Sequence, residues 1–305
     1  MFLVILVYAL FASVFTTAKT GLLYASPFFL VGSRMAAAGA LLLAYQYLFH
    51  RSAFRFAWKD LKIILLMAVF TIYLTNVFEF WGLKYLTSFK TCLIYSLSPF
   101  LSALVSYFSL GEKLSGKKWL GLLVGFAGVI PIFLSQTDIE EQAGSFLIFS
   151  WAELAVVAAA TCSVYGWILL KKTVGERGYS PIMANGMSML IGGGMALFHS
   201  ALVESWNPVP VTDFSGFLLC AAILIVVSNF ICYNLYGYLL KRYSATFMSF
   251  AGLTTPLFTA LFGWVFLGES VSLSFYLSFA ILFTGLLLFY QEELAGQKSS
   301  LEIAT

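Results

Sequence analysis

Of 305 residues, 61% are apolar, 18% aromatic and only 10% charged, with a mean hydropathy of +0.92. That balance excludes a water-soluble globule, because too little polar side chain is present to cover the apolar surface. The formal charge of +3 is accounted for by short basic loops, so no nucleic-acid partner is expected.

From the N-terminus, apolar runs long enough to cross about 30 Å of hydrocarbon occupy approximately 1–18, 26–49, 61–83, 91–110, 118–135, 145–170, 181–203, 215–239, 244–267 and 273–290. They predict an all-α integral membrane protein of ten transmembrane helices. A lipid-exposed backbone must satisfy its own hydrogen bonds, and the runs lack the alternation of a membrane barrel. The first run has no basic leader and a poor cleavage site at Thr17-Ala18-Lys19, so it is expected to be a retained span. Helix 2 carries Arg34, and helix 3 carries Tyr73, Asn76, Glu79 and Trp81. Helix 4 carries Tyr95 and Pro99, and helix 5 a close-packing pair, Gly121 and Gly125. The segment Gln136 to Gly144, with Asp138, Glu140 and Glu141, reads as a linker. Helix 6 brings Trp151, Glu153, Tyr165 and Trp167; helix 7 the run Gly192-Gly193-Gly194; helix 8 Asn229, Tyr233, Asn234 and Tyr236; and helix 9 Pro256. The tail from 291 to 305 is polar and expected to be disordered. Cys92, Cys162, Cys220 and Cys232 sit singly in apolar runs, without the spacing of a metal site or a disulfide framework.

Lysine and arginine mark orientation, since short cytoplasmic loops are enriched in them. Arg51, Arg55, Lys59, Lys62, Lys113, Lys117, Lys118, Lys171, Lys172, Arg177, Lys241 and Arg242 fall on the side of the N-terminus, against Lys19, Lys84 and Lys90 opposite. Both termini are therefore expected in the cytoplasm, across a bacterial inner membrane.

The chain also repeats itself. Ser98 to Glu112, SPFLSALVSYFSLGE, returns as TPLFTALFGWVFLGE at Thr255 to Glu269, a shift of about 157 positions. Pro99 then falls on Pro256 and Gly111-Glu112 on Gly268-Glu269, while a shift of about 154 sets Ser26-Pro27 on Ser180-Pro181 and Gly39 on Gly193. Repeats at 1–135 and 145–290, joined by the linker 136–144, hold five helices each. After an odd number of crossings the second copy enters from the opposite side, so the repeats are inverted, the architecture of alternating access with a substrate near the midplane. Pro99 and Pro256 each remove a backbone donor at mid-membrane and are the expected hinges. Glu112 and Glu269, each after a glycine at a helix end, are expected to be structural.

Ionisable groups inside a span are costly and normally face a partner or a wet cavity. Arg34, Glu79 and Glu153 all fall in the half away from the N-terminus, Arg34 about 12 Å in at 1.5 Å per residue. Two readings stand: an Arg34–Glu79 ion pair, or a substrate role for at least one acid. Asn76, Tyr95, Asn229 and Tyr233 lie near that level, whereas Trp81, Trp151 and Tyr236 suit the interfacial aromatic belt. Aromatic faces, amides and two acids fit a metabolite with a planar ring and a cationic group. The chain has no GxxxxGK[ST] loop for ATP and no HExxH, so transport without ATP hydrolysis is expected. A membrane-embedded enzyme using Glu79 and Glu153 as acid and base is the rival class.

Through Pro27 and Arg34 in helix 2 and the twice-occurring proline-to-glutamate segment, the chain resembles the EamA-type branch of the drug/metabolite transporter superfamily. The resemblance spans nearly the whole chain, with Ser188 where the second repeat would match Arg34. It implies paired five-helix domains and secondary transport of a small organic metabolite, without a cofactor, by a monomer or homodimer in the bilayer. Relatives include amino-acid and drug exporters, nucleotide-sugar carriers and S-adenosylmethionine uptake systems. The expected substrate is S-adenosylmethionine or a related cationic amino-acid or nucleoside derivative, bound by Glu153, Glu79, Arg34, Tyr95, Asn229, Tyr233 and Asn76.

Overall fold

The computed structural model describes the backbone of residues 2–110, 114–135, 137–147, 149–239, 248 and 251–302, with side chains through residue 291 except at 106 and 108–110. Gly111, Glu112 and the first part of helix 9 lie outside the described residues. Among the described residues nine helices are long and apolar enough to cross a membrane: α1 (Phe2–Gly21), α2 (Pro27–Phe49), α3 (Trp58–Tyr85), α4 (Ser88–Val105), α5 (Gly116–Phe133), α6 (Trp151–Gly175), α7 (Pro181–Val203), α8 (Phe214–Leu239) and α10 (Leu273–Gln291). The shorter apolar helix α9 (Thr255–Leu267) makes the tenth. The backbone of α10 continues to Glu302, taking in most of the tail read from composition as disordered. The chain is thus an all-α membrane protein of two inverted five-helix repeats.

Local chemistry explains where the helices begin. Pro27 and Pro181 occupy the first turn of α2 and α7, where the missing N–H has no partner to lose, and the Ser180 side chain accepts from Met183 N. Ser150 and Glu153 close a reciprocal capping box on α6. Large side chains such as Leu218, Leu219, Trp264 and Phe266 face outward, as the lipid solvent requires.

Two irregularities recur at equivalent places in the repeats. The α-helical ladder of α3 widens to a π-helical stretch at Ala68–Leu74, and that of α8 does so at Ile225–Cys232; such stretches leave carbonyls in need of donors. Asn76 Nδ2 bonds the oxygens of Ile72 (2.8 Å) and Thr71 (3.4 Å), and Asn234 Nδ2 those of Phe230 (2.9 Å) and Asn229 (3.1 Å). The second irregularity is a break. Helix α4 turns at Ser96 and Leu97 between the segments Ser88–Tyr95 and Ser98–Leu110, and Pro99 opens the second segment. Leu253 and Thr254 form a turn before Thr255–Leu267, which Pro256 opens in the same way. Each proline therefore starts a half-helix after a break, where it costs no hydrogen bond.

The repeats meet where α2 crosses α7. A Cβ on Gly39 would lie 2.4 Å from Leu190 N, and one on Gly193 2.4 Å from Ala36 N, so the two backbones touch directly, as close helix packing in lipid requires.

Candidate functional site

A cavity enters the bundle between the repeats. Its lining includes Arg34, Asn76, Glu79, Tyr95, Pro99 and Tyr233, and it extends past Trp167 and Tyr236 to the exposed Lys171 on the side from which α1 starts. That side is the near end of the bundle. The geometry at the inner limit begins with the π-helical stretch of α3. With Nδ2 of Asn76 tied to freed carbonyls, its Oδ1 is turned to accept from Arg34 Nη2 at 2.7 Å. Asn229, fully buried on α8, accepts from Arg34 Nη1 at 3.2 Å. The guanidinium lies 4.7 Å from the centroid of the Phe80 ring, a favourable cation–π placement. Glu79 Oε2 accepts from Tyr95 OH at 2.7 Å, and the Tyr95 ring packs edge-on against Phe15 at 5.7 Å.

Six of the sequence-selected residues thus line one space. Asn229 stands behind Arg34 and supports it without lining the cavity, and Thr255, next to Pro256, is a lining residue. Two expectations are corrected. Arg34 and Glu79 form no ion pair within 4.0 Å, because the guanidinium is taken up by two amide oxygens and the carboxylate by a phenol. Glu153 does not face the cavity: it is 0% exposed, accepts from Ser150 N at 2.7 Å and pairs with Lys90 Nζ at 2.7 Å. Its position at the third residue of α6 commits it to the capping box, and Lys90 neutralises it.

Lys90, a far-side loop residue by its place in the sequence, is 2% exposed and also pairs with Glu140 of the linker at 2.6 Å. The capping residue Thr87, which accepts from Lys90 N, starts α4 early enough to draw Lys90 inside. Composition carried one signal of this: three acids in the linker opposite a lone lysine. The cavity aromatics include Tyr8 and Phe11 of α1 and Tyr236 of α8. Tyr236, assigned by its depth to the lipid belt, stacks obliquely on Trp167 at 4.6 Å and edge-on against Tyr8 at 6.4 Å. A helix as uniformly apolar as α1 offers no periodicity to indicate which face is inward.

Opposite the near end, polar contacts tie the helix ends together. Lys19 Nζ donates to the oxygens of Leu83 (2.7 Å) and Leu86 (2.6 Å), serving the last carbonyls of α3. Glu204 accepts from Phe28 N (2.8 Å) and Phe29 N (2.9 Å) at the start of α2, and Glu269 accepts from Ser88 N (2.9 Å) and Ser88 Oγ (2.5 Å) at the start of α4. Carboxylates at helix N-termini satisfy unpaired N–H groups and complement the helix dipole. With Lys90, Glu140 and Glu153 these contacts close the far end of the bundle.

The chain is 39% identical over 296 residues to the S-adenosylmethionine/S-adenosylhomocysteine transporter of Chlamydia trachomatis serovar L2, covering 96% of this chain and 89% of that one. The protein of the same description in Chlamydia muridarum is also 39% identical, over 96% of this chain and 92% of its own. An uncharacterized transporter of Archaeoglobus fulgidus is 26% identical, over 85% and 87% of the two chains. A protein of known crystal structure, 20% identical, shares the fold with a TM-score of 0.62 over 94% of this chain and 95% of its own. The sequence profile of the EamA-like transporter family matches residues 1–134 and again 150–291, once in each half, and this chain belongs to that family.

Proposed function

We propose that this protein carries S-adenosylmethionine and S-adenosylhomocysteine across a bacterial inner membrane by alternating access. The observation that carries the reading is the 39% identity, over 96% of the chain, to transporters described by those two substrates. The cavity is chemically compatible: Trp167, Tyr233 and Tyr236 offer faces for a purine ring, and Glu79 offers a carboxylate to a cationic substrate. Proteoliposomes loaded with S-adenosylhomocysteine should take up labelled S-adenosylmethionine saturably and release an equivalent amount of the internal ligand. Failure of that exchange, with another metabolite carried instead, would overturn the substrate. Chemical conversion of S-adenosylmethionine without exchange would favour an enzyme.

The basic loops support a cytoplasmic near end and cytoplasmic termini. On that orientation the cavity is open to the cytoplasm and closed opposite, one of the two states that inverted repeats provide.

The breaks before Pro99 and Pro256 act as paired hinges in this reading. Pro99→Ala and Pro256→Ala remove the ring that keeps each half-helix from continuing the one before it, and should each slow turnover several-fold while leaving apparent affinity nearly unchanged, since a hinge affects the barrier between states more than the contacts within one. Initial exchange rates decide the matter, and unaltered turnover in both variants would leave the breaks as static bends.

A further inference from the structure

Arg34 and Glu79 line one cavity, carry opposite charges and are both buried, at 2% and 9% exposure. Among the described residues neither belongs to an ion pair; the pairs present are Lys90–Glu140, Lys90–Glu153 and Arg177–Asp60. A buried charge without a counter-charge is costly, and stranding one partner of a buried pair typically costs about 3–5 kcal/mol. Two such charges facing the same space, and held apart from each other, form a site for a ligand that brings both complements.

The restraint holding them apart is specific. Asn76 and Asn229 take the two Nη groups of Arg34, at 2.7 and 3.2 Å, and Asn76 is itself fixed by its bonds to Ile72 and Thr71 oxygens. Arg34 Nε is buried without a hydrogen-bond partner. On the other side Tyr95 holds Glu79 Oε2, while Glu79 Oε1 accepts from no described residue. An arginine donor and a carboxylate oxygen are thus both left to serve.

We infer that Arg34 and Glu79 clamp the α-amino-acid end of the substrate, Arg34 binding its carboxylate and Glu79 its ammonium. This rests on the proposed function and deepens it. The covalent geometry suits the arrangement: in an amino acid the nitrogen and carboxyl carbon are about 2.5 Å apart, from bond lengths near 1.5 Å at an angle near 111°. Charge-assisted bonds of roughly 2.7–2.9 Å at each end then bridge two protein groups that do not touch each other. The ring end of the ligand extends toward the near end, where Trp167 and Tyr236 lie 4.6 Å apart and Trp167 and Tyr233 5.2 Å apart. A clamp on the amino-acid end leaves the sulfur unread, so a sulfonium and a thioether are held by the same pair of charges. That property is what an exchanger of S-adenosylmethionine for S-adenosylhomocysteine needs.

The test pairs protein variants with ligand variants. Binding to full-length protein in detergent micelles is titrated with S-adenosylmethionine, its decarboxylated form, its deaminated form and 5′-methylthioadenosine. In the wild type, loss of the carboxylate or of the amino group should each raise Kd about tenfold or more, the range of a charged hydrogen bond. Arg34→Gln should abolish the carboxylate preference and keep the amino preference, and Glu79→Gln should do the reverse. If Arg34→Gln does not fold, Arg34→Lys, which keeps the charge and loses the planar fork, should still shrink the carboxylate preference. Equal weakening of all four ligands in a variant, or no preference in the wild type, would overturn the clamp. If the wild type does not bind S-adenosylmethionine, the substrate reading falls. The clamp is then decided by the same crossed pattern with free L-amino acids against the matching amines and carboxylic acids.

Discussion

Replacing Lys90 with methionine is expected to lower the unfolding free energy by about 3–5 kcal/mol, the cost of breaking a buried ionic pair. Methionine keeps the length and bulk of the side chain, so the loss isolates the charge. Lys90 Nζ holds Glu140 at 2.6 Å and Glu153 at 2.7 Å, all three side chains being 2% exposed or less. Without the ammonium, two carboxylates remain buried beside each other. Adding Glu140→Gln and Glu153→Gln to Lys90→Met should recover a large share of the loss, because the cluster is then neutral. Thermal unfolding in micelles checks both steps, and a Lys90→Met protein as stable as the wild type would show that the cluster is not electrostatically coupled.

Glu140→Gln alone should be milder, since Lys90 keeps Glu153. Burial pushes the Glu140 carboxyl above the ordinary carboxylate range, against the opposing pull of Lys90. The folded state therefore binds this proton more tightly than the unfolded state does. The sign follows by linkage: this group favours folding below its ordinary pKa, and that advantage is lost as pH rises through the raised value. Glu140→Gln should flatten that part of the stability profile.

Gly193→Ala is expected to cost about 1–3 kcal/mol, the range for overpacking, although one methyl group is all that is added. The new Cβ would stand 2.4 Å from Ala36 N, and Gly39→Ala would put one 2.4 Å from Leu190 N. Backbone cannot rotate out of the way as a side chain can, so α2 and α7 must move apart. A single separation relieves both clashes, so the double variant Gly39→Ala/Gly193→Ala should cost less than the sum of the two single variants, the coupling expected of contacts that share one displacement. Additive losses in micelle unfolding would mean that the sites relax independently.

The intramembrane acids show what was legible beforehand. Hydropathy identified Arg34, Glu79 and Glu153 as costly and placed all three in the far half, yet Glu153 stands only at the third residue of α6, whereas Arg34 is the eighth of α2. Which way each side chain turns was not legible. Glu153 lies at the third position of α6, after Ser150, and the capping box holds it at the helix start, whereas Glu79 stands six residues before the end of α3. The Ser150-x-x-Glu153 spacing is itself a sequence signal of such a cap, overshadowed by the reading of Glu153 as a mid-membrane charge. Lys90 shows the reverse case, a residue assigned to a loop that the helix start at Thr87 brings inside. Tyr236 shows a third, since depth alone does not distinguish lipid from cavity.

The sequence by itself determined the solvent, the helical class, the repeat and its inversion, because these depend on summed hydropathy and on the parity of crossings. Neither quantity depends on how the helices turn about their axes. Tertiary structure alone decided which charges meet. Rotating a helix by one residue moves a side chain by about 100°, from 3.6 residues per turn, and in lipid every apolar face is equally acceptable outside. Those rotations are set by the glycine contacts of α2 with α7 and by the π-helical stretches of α3 and α8. They left Arg34 and Glu79 facing one cavity unpaired, while the caps at Ser150 and Thr87 gave Glu153 to Lys90, because backbone contact and unsatisfied backbone groups constrain a helix in lipid more strongly than its hydrophobic pattern does.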